Sequence, residues 1–540
     1  MQNSFDMPPI LKSRLVYEVY PRSFRSAHGR PDGDINGITQ KLEYLDWLGV
    51  QQVWLPPVYP SPMRDGGYDV ADYYGINPMF GTLAEFDELV SEARQRGIGI
   101  IMDLVVNHTS IEHEWFREAL ADPDGPMRDR YVFRRGKPGG GLPNNHLSVF
   151  GGPAWEPVPG EPGVYYYHSF YPGQPDLNWE NPAVLDEMSK IMRYWFDRGV
   201  MGMRVDAVHF IGKPADMPDE PVNPDWDGED QFLQLNHVYT QYQPGMYKLT
   251  NELCRVAAGY GHDRFVIFET STTNVATATY NQFYQEAIDR RVAAPFHFGL
   301  FRTQWSAEAM KAHLDEFLSG ISDDSVPVWA VSNHDQHRVA TRIGQQQDWV
   351  ALALILTLPG VPTLYYGDEI GMVDGLPPDP SHNHDLRSDE FSRDVTRTPM
   401  QWNGDKAASA GFTKPGVAPW VPVNADFRTR NVEDMQQNPR SILNFTKLLI
   451  ELRKMVPAIE RGSYVPMDSG AKGVLAFGRK LGVHQATVFL NFTGEAHEVR
   501  VPEATPRLLF SQRAVPSSLH GTITLAPNEI CVLHSQPQAS

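Results

Sequence analysis

Eight short, almost continuously apolar runs alternate with longer stretches of helical periodicity along this chain, and few folds accommodate that pattern. The runs fall at residues 15–20, 53–57, 99–106, 201–205, 265–268, 294–299, 326–331 and 363–366. Between and after them, residues 38–48, 83–96, 183–196, 246–259, 307–318, 349–358 and 441–452 carry apolar residues at helical spacing. The run at 99–106, Gly-Ile-Ile-Met-Asp-Leu-Val-Val, has the character of a strand covered on both faces. Eight strand-like runs, seven of them followed by a helical stretch, predict an α/β fold, a closed parallel (β/α)8 TIM barrel.

The alternation breaks twice. Residues 109–179 are rich in Gly, Pro, Tyr and Trp without a clear helical period, too long for a plain connection, and read as a small domain inserted after the third strand. After about residue 458 short β runs take over, as at 473–477, 486–490 and 522–525, which predicts a C-terminal antiparallel β domain. The expected organisation is a barrel in two parts, 1–108 and 180–457, with the insert at 109–179 and the β domain at 458–540.

Composition narrows the partners. A formal charge of −19 argues against nucleic acid or an anionic membrane surface, both of which need basic patches, so a neutral small molecule is the expected ligand. Cys254 and Cys531 are far apart and offer no disulfide framework. Residues 1–14 lack a basic segment followed by an apolar one, and no run approaches membrane-spanning length. The expectation is a cytoplasmic protein, monomeric or homodimeric, with no membrane partner.

In such a barrel, functional groups come from the C-terminal ends of the strands. Polar residues gather there: Asp103, Asn107 and His108 after the third run, Arg204, Asp206 and His209 around the fourth, Glu269 after the fifth, and Asn333, His334 and Asp335 after the seventh. Within Gly202–Asp206, Arg204 and Asp206 are two apart and face the same way in a strand. A permanently charged neighbour then keeps the carboxylate ionised, as a nucleophile must be, although this stretch alone reads equally as a structural ion pair closing a strand. Glu269 alone is an ordinary cap or surface charge, and His108 and His334 alone are ordinary core histidines. Three carboxylates at matching strand ends point to acid/base and nucleophilic chemistry, because repulsion and burial push their pKa values apart.

These motifs resemble the α-amylase family of glycoside hydrolases, family 13, in its α-glucosidase and oligo-1,6-glucosidase branch. Residues 103–108 (Asp-Leu-Val-Val-Asn-His), Gly202–Asp206, Glu269 and 333–335 match the four family motifs. Residues 174–178 (Gln-Pro-Asp-Leu-Asn), 360–369 and 397–402 match markers of the branch. The resemblance implies a retaining double displacement with Asp206 as nucleophile, Glu269 as acid/base in the drier environment, and Asp335 on the 2- and 3-hydroxyls of glucose. It also implies a closed glucose pocket. Asp65 and Tyr68 would hold the 4-hydroxyl end, with Asp65 paired to Arg397; His108, His334 and Arg204 would supply further polar contacts, and Phe150 and Gln174 the wall. Ala207, the residue after the nucleophile, goes with α-1,4 rather than α-1,6 linkages in this branch. No cofactor is implied.

The chain departs from the family at several points. A loop that commonly binds a hard cation aligns on Ser26, His28, Arg30, Asp32 and Asp34, and an Arg with so few carboxylates predicts no metal. Phe268 stands where Gly usually precedes the acid, followed by Thr270 and Ser271, and either displaces Glu269 or fills space. Glu18 replaces the commoner Gln of the first strand. Residues 211–244 form a long insertion expected over the aglycone sites. A glucosyl-transferring or isomerising enzyme, such as a transglucosidase, sucrose isomerase or trehalose-forming enzyme, would keep the same catalytic set. A non-catalytic relative would need a membrane anchor and usually lost carboxylates, and a pure sugar binder would not need the nucleophile.

Overall fold

The computed structural model describes residues 14–261, 263–270, 282, 292–321, 325–376, 392–501, 506–512, 519 and 521–535. Residues 1–13 and Ser271, both weighed above, lie outside that set. Eight parallel strands close into a barrel: Val16–Glu18, Gln52–Leu55, Gly99–Val105, Gly202–Asp206, Phe265–Phe268, Ala293–His297, Val328–Ala330 and Val361–Tyr365, the last pairing with the first. Each strand sends alternate residues to opposite sides. Val16, Trp54, Ile101, Phe265, Ile267, Ala294, Phe296, Val328 and Val361 pack together inside. Tyr17, Val53, Met102, Val205, Val266, Phe268 and Leu364 join the larger core beneath the helices.

The long helices close the outside and carry clear start signals. Leu83–Gln95 opens with a capping box between Thr82 and Glu85, and Pro182–Asp197 opens with proline in its first turn and the Asn181 side chain as cap. Asp348–Thr357 is buried at almost every position, because it lies between the barrel and the C-terminal sheets. The predicted helix over 38–48 is two helices, Ile35–Thr39 and Leu42–Leu48. Asp34 starts the first one early by accepting the Gly37 N–H, and Lys41 leaves the helical region at φ −106°, ψ 6°.

Between the third and fourth barrel strands lie the antiparallel strands Phe133–Arg135, Val164–Tyr167 and Trp155–Pro157. This segment also contains a helix that the sequence pattern does not reveal, Glu114–Ala121, capped by His113. Only Phe116 and Ala119 of it are buried, too few for a period to register. The C-terminal part is a five-stranded antiparallel sheet facing a two-stranded one, with Phe489, Val499, Ile523 and Leu533 among the residues between them. Both cysteines are free and buried. Among the described residues, no helix is long and apolar enough to cross a membrane.

Candidate active site

Register and alternation put a cation at the centre of the barrel mouth. Asp103 and Arg204 are neighbours across the third and fourth strands, and both side chains point inward. The Arg204 side chain is 2 % exposed and binds three carboxylates. Its Nη1 lies 2.7 Å from Asp103 Oδ1 and 2.7 Å from Asp206 Oδ1, and its Nη2 lies 2.9 Å from Glu269 Oε2. Trp54 Nε1–H and the Tyr68 hydroxyl both donate to Asp103 Oδ2 at 3.1 Å. The Ala207 N–H donates to Glu269 Oε2 at 2.8 Å, a contact made possible by left-handed backbone at Ala207, φ 44° and ψ 36°.

One cation among three carboxylates, two of them buried, leaves the group short of positive charge. Burial pushes Asp206 well above the ordinary carboxylate range, opposed by Arg204 and reinforced by Glu269 and Asp103. Burial likewise raises Asp103 to about 6, with Arg204 opposing. Burial also works against the charge on Arg204, but its carboxylate neighbours outweigh it. The expectation that Glu269 occupies the drier position is not met: its side chain is 15 % exposed and that of Asp206 10 %. Both carboxylates bind the same guanidinium, so the surroundings do not separate a wet partner from a dry one.

Opposite this group is a second polar wall. Arg393 Nη2 lies 2.6 Å from Asp65 Oδ1, and Gln174 Nε2 donates to Asp65 Oδ2 at 2.8 Å. The expected Asp65 partner, Arg397, instead directs Nη2 to Asp335 Oδ1 at 3.1 Å and donates through Nε to the His334 carbonyl at 2.8 Å. Both arginines lie on the short 3₁₀ turn Arg393–Arg397, and the first of them faces the pocket. Arg393 also reaches Asp335 Oδ1 at 3.0 Å, and its guanidinium lies over the Phe150 ring, 5.6 Å from the centroid. Tyr68 stacks on His334 with ring centres 5.5 Å apart and planes 7° off parallel.

The resulting cavity of about 190 Å³ is lined by Asp65, Tyr68, His108, Phe150, Asp206, Glu269 and Asp335. Burial holds His108 down at about 4, so its ring is neutral and can either donate or accept. Gln174, Arg204, His334 and Arg397 are buried behind these and orient them. Sequence reasoning missed Arg393, which stands four residues upstream of the arginine it chose. It also missed Phe170, Phe210, Asp230, Phe232 and Gln241, which line the outer cavity; the last three come from the insertion after the fourth strand. Lys213 anchors that insertion, with Nζ 2.7 Å from Asp176 Oδ2 and 2.6 Å from the Phe210 carbonyl.

Phe268 faces the helix layer with Val205 and Val266 and is fully buried, so it fills outer core and leaves Glu269 on the inward side. In the loop at 26–34 the polar groups are engaged by protein. The Asp34 carboxylate accepts the N–H groups of Ala27, His28 and Gly37, and Arg22 Nε pairs with Asp32 at 2.5 Å.

Residues 18–462 match the family model for the α-amylase catalytic domain. The chain belongs to the α-amylase family. It is a glycoside hydrolase of that family, and its relatives include α-glucosidases, oligo-1,6-glucosidases and a trehalose-6-phosphate hydrolase of Bacillus subtilis. It is 35% identical to an α-glucosidase of Culex pipiens over 96% of this chain and 90% of that one. It is also 35% identical to an oligo-1,6-glucosidase of Parageobacillus thermoglucosidasius over 91% and 92% of the two chains. Among solved structures, the α-glucosyl transfer enzyme XgtA superposes with a TM-score of 0.89 at 30% identity, covering 97% of this chain and 99% of that one.

Proposed function

We propose that this family member is a retaining, exo-acting α-glucosidase that releases terminal glucose from short α-glucosides, with α-1,4 linkages preferred and some transfer to other acceptors. The observation that carries this reading is the shared grip of Arg204 on Asp206 and Glu269 inside one small cavity. Two carboxylates held by the same guanidinium are brought close to one another, which favours the close spacing of retention over the wide spacing of inversion.

In this mechanism Asp206 attacks the anomeric carbon while Glu269 gives its proton to the departing oxygen; Glu269 then takes a proton from water, which releases β-bound glucose with net retention. The approaching glycosidic oxygen takes its proton from Glu269 while Arg204, bound to both carboxylates, stabilises the anionic form of Asp206. Asp335, His334 and Tyr68 bind hydroxyls of the same ring and strengthen as the oxocarbenium-like transition state forms. Asp65 with Arg393, His108, Phe150, Gln174 and Arg397 closes the far end, which favours chain ends over internal bonds. Ala207 leaves space beside the nucleophile for a 1,4-linked leaving group.

Proton NMR of freshly cleaved maltose tests the mechanism: α-glucose must appear first, and β-glucose first overturns retention. Initial rates on maltose, isomaltose, sucrose and trehalose test the linkage, and isomaltose cleaved faster than maltose overturns the α-1,4 preference. Disaccharide isomers formed faster than free glucose would make it a transferase.

A further inference from the structure

The cavity continues past the carboxylates, and Ala207 fixes the side on which it does so. Its N–H donates to Glu269 Oε2, and its side chain packs in one apolar cluster with Phe210 and Phe232. Asp65 and Arg393 close the cavity at the opposite end. Phe232 therefore borders the cavity on the side of the acid, where the departing half of a glucoside must lie. Its ring is held firmly there. Phe232 sits on the 3₁₀ turn Gln231–Gln234, and its N–H donates to Asp230 Oδ1 at 3.0 Å. The His237 ring lies flat against it, with centroids 3.6 Å apart and planes 11° from parallel, and His237 Nε2 donates to the Phe232 carbonyl at 2.7 Å. One face of the ring is thus covered and Phe210 stands beside it at 6.3 Å, so the surface given to the cavity is the side away from His237.

Gln241 enters the same cavity from the far end of the insertion. Tyr242, next to it, has left-handed backbone at φ 52°, gives its N–H to the His209 carbonyl at 2.9 Å and stacks on the His209 ring 5.6 Å away. Such backbone is costly for a bulky residue and persists only where its surroundings impose it. The Gln241 carbonyl is fixed as well, accepting from Gln243 Nε2 at 2.9 Å. Among the described residues the Gln241 side-chain amide has no protein partner, so its two donors and its acceptor oxygen are left to whatever fills the cavity. A rigid aromatic surface beside an uncommitted amide suits a pyranose, whose C–H face packs on the aromatic while its hydroxyls bond the amide. We propose that Phe232 and Gln241 determine aglycone specificity: Phe232 is the platform for the apolar face of a second sugar ring, and Gln241 bonds one of its hydroxyls.

The inference rests on the α-glucosidase reading, and the test separates the two. α-Glucosyl fluoride fills the glucose pocket and carries only fluorine beyond it, whereas maltose places a second ring on the proposed platform. Steady-state kinetics on both substrates therefore isolate the aglycone side. The ratio of kcat/KM for α-glucosyl fluoride to that for maltose should rise about tenfold or more in Phe232→Leu, which keeps an apolar side chain but loses the flat ring. In Gln241→Leu it should rise about threefold or more. A Phe232→Leu enzyme that loses both substrates alike, or neither, overturns the platform. A Gln241→Leu ratio equal to that of the parent overturns the hydrogen bond, and because this residue lies outside the apolar cluster it tests the site even if Phe232→Leu fails to fold. A parent enzyme that turns over neither substrate overturns the α-glucosidase reading itself and the aglycone site with it. A parent that cleaves both while the two variants keep its ratio leaves that reading standing and overturns only the roles of Phe232 and Gln241.

Discussion

Arg204→Gln is the most informative single change, because one guanidinium serves Asp103, Asp206 and Glu269 at 2.7, 2.7 and 2.9 Å while only 2 % exposed. Removing one partner of a buried ion pair costs about 3–5 kcal/mol, since the remaining charge is left without compensation. Three carboxylates lose their cation together, but they can take up protons, which keeps the cost near that range instead of three times it. The pH dependence follows in sign. Asp103 and Asp206 are already raised by burial, and without Arg204 both rise further. A group raised in the folded state contributes stability that is complete below its unfolded pKa and is lost as pH rises through the folded value. The deficit of the variant should therefore be about 3–5 kcal/mol at pH 7.5, as read from urea unfolding by tryptophan fluorescence, and smaller at pH 5.5. kcat/KM for maltose should drop by at least about 10³, because Asp206 loses both its charge partner and its orientation. A variant as stable as the parent at both pH values, or one that keeps more than about a tenth of its activity, refutes the central role given to Arg204.

Other outcomes follow from the same geometry. Asp206 must be ionised to attack, and burial raises it; the acid limb of kcat/KM should therefore lie well above pH 4, and a limb at pH 4 or below contradicts the burial argument. Arg393→Ala leaves buried Asp65 without its cation, while Asp335 keeps Arg397, and should raise KM for maltose about tenfold or more while costing about 3 kcal/mol, with steady-state kinetics and urea unfolding as readouts. Ala207→Val puts a β-branched residue at φ 44°, where it is strained, and narrows the 1,4 approach. The isomaltose-to-maltose rate ratio should rise about tenfold, with about 1–2 kcal/mol of stability lost. Lys213→Met leaves Asp176 buried without its cation and unpins the insertion; the expected loss is about 3–5 kcal/mol, and melting of the variant together with the parent would show that the pin is dispensable.

Much of this architecture is visible in the sequence because alternation is a geometric constraint. A strand covered by helices outside and packed inside sends every second residue inward, so Asp103, Arg204 and Asp206 are committed to the barrel mouth once the register is set. The same rule resolves Phe268, which shares the parity of Val266 and so belongs to the helix layer. The rule fails where partners must be chosen. Arg393 and Arg397 share one short turn, and nothing in their spacing says which of them meets Asp65. Short helices escape for a related reason: Glu114–Ala121 buries too few residues to leave a period, and the split at Lys41 is a local backbone event inside a continuous apolar pattern.

The location of the proton exposes the deeper limit. Arg204 beside Asp206 reads, from two residues, as an anionic nucleophile next to its cation; with Asp103 and Glu269 on the same guanidinium, that cation is divided among three claimants. The charge state of each carboxylate then depends on the sum over the group and on the depth at which the group lies, quantities set by tertiary structure. A single motif can name the members of such a site, but their acidities emerge only when strands distant in sequence bring them to one cation. Removing Asp103 should consequently shift the titration of Asp206, and the acid limb in Asp103→Asn is the direct measure of it. With one carboxylate removed, Arg204 is shared by two, Asp206 loses a raising neighbour, and the limb must move to lower pH; a limb that stays in place would mean that Asp103 and Asp206 titrate independently.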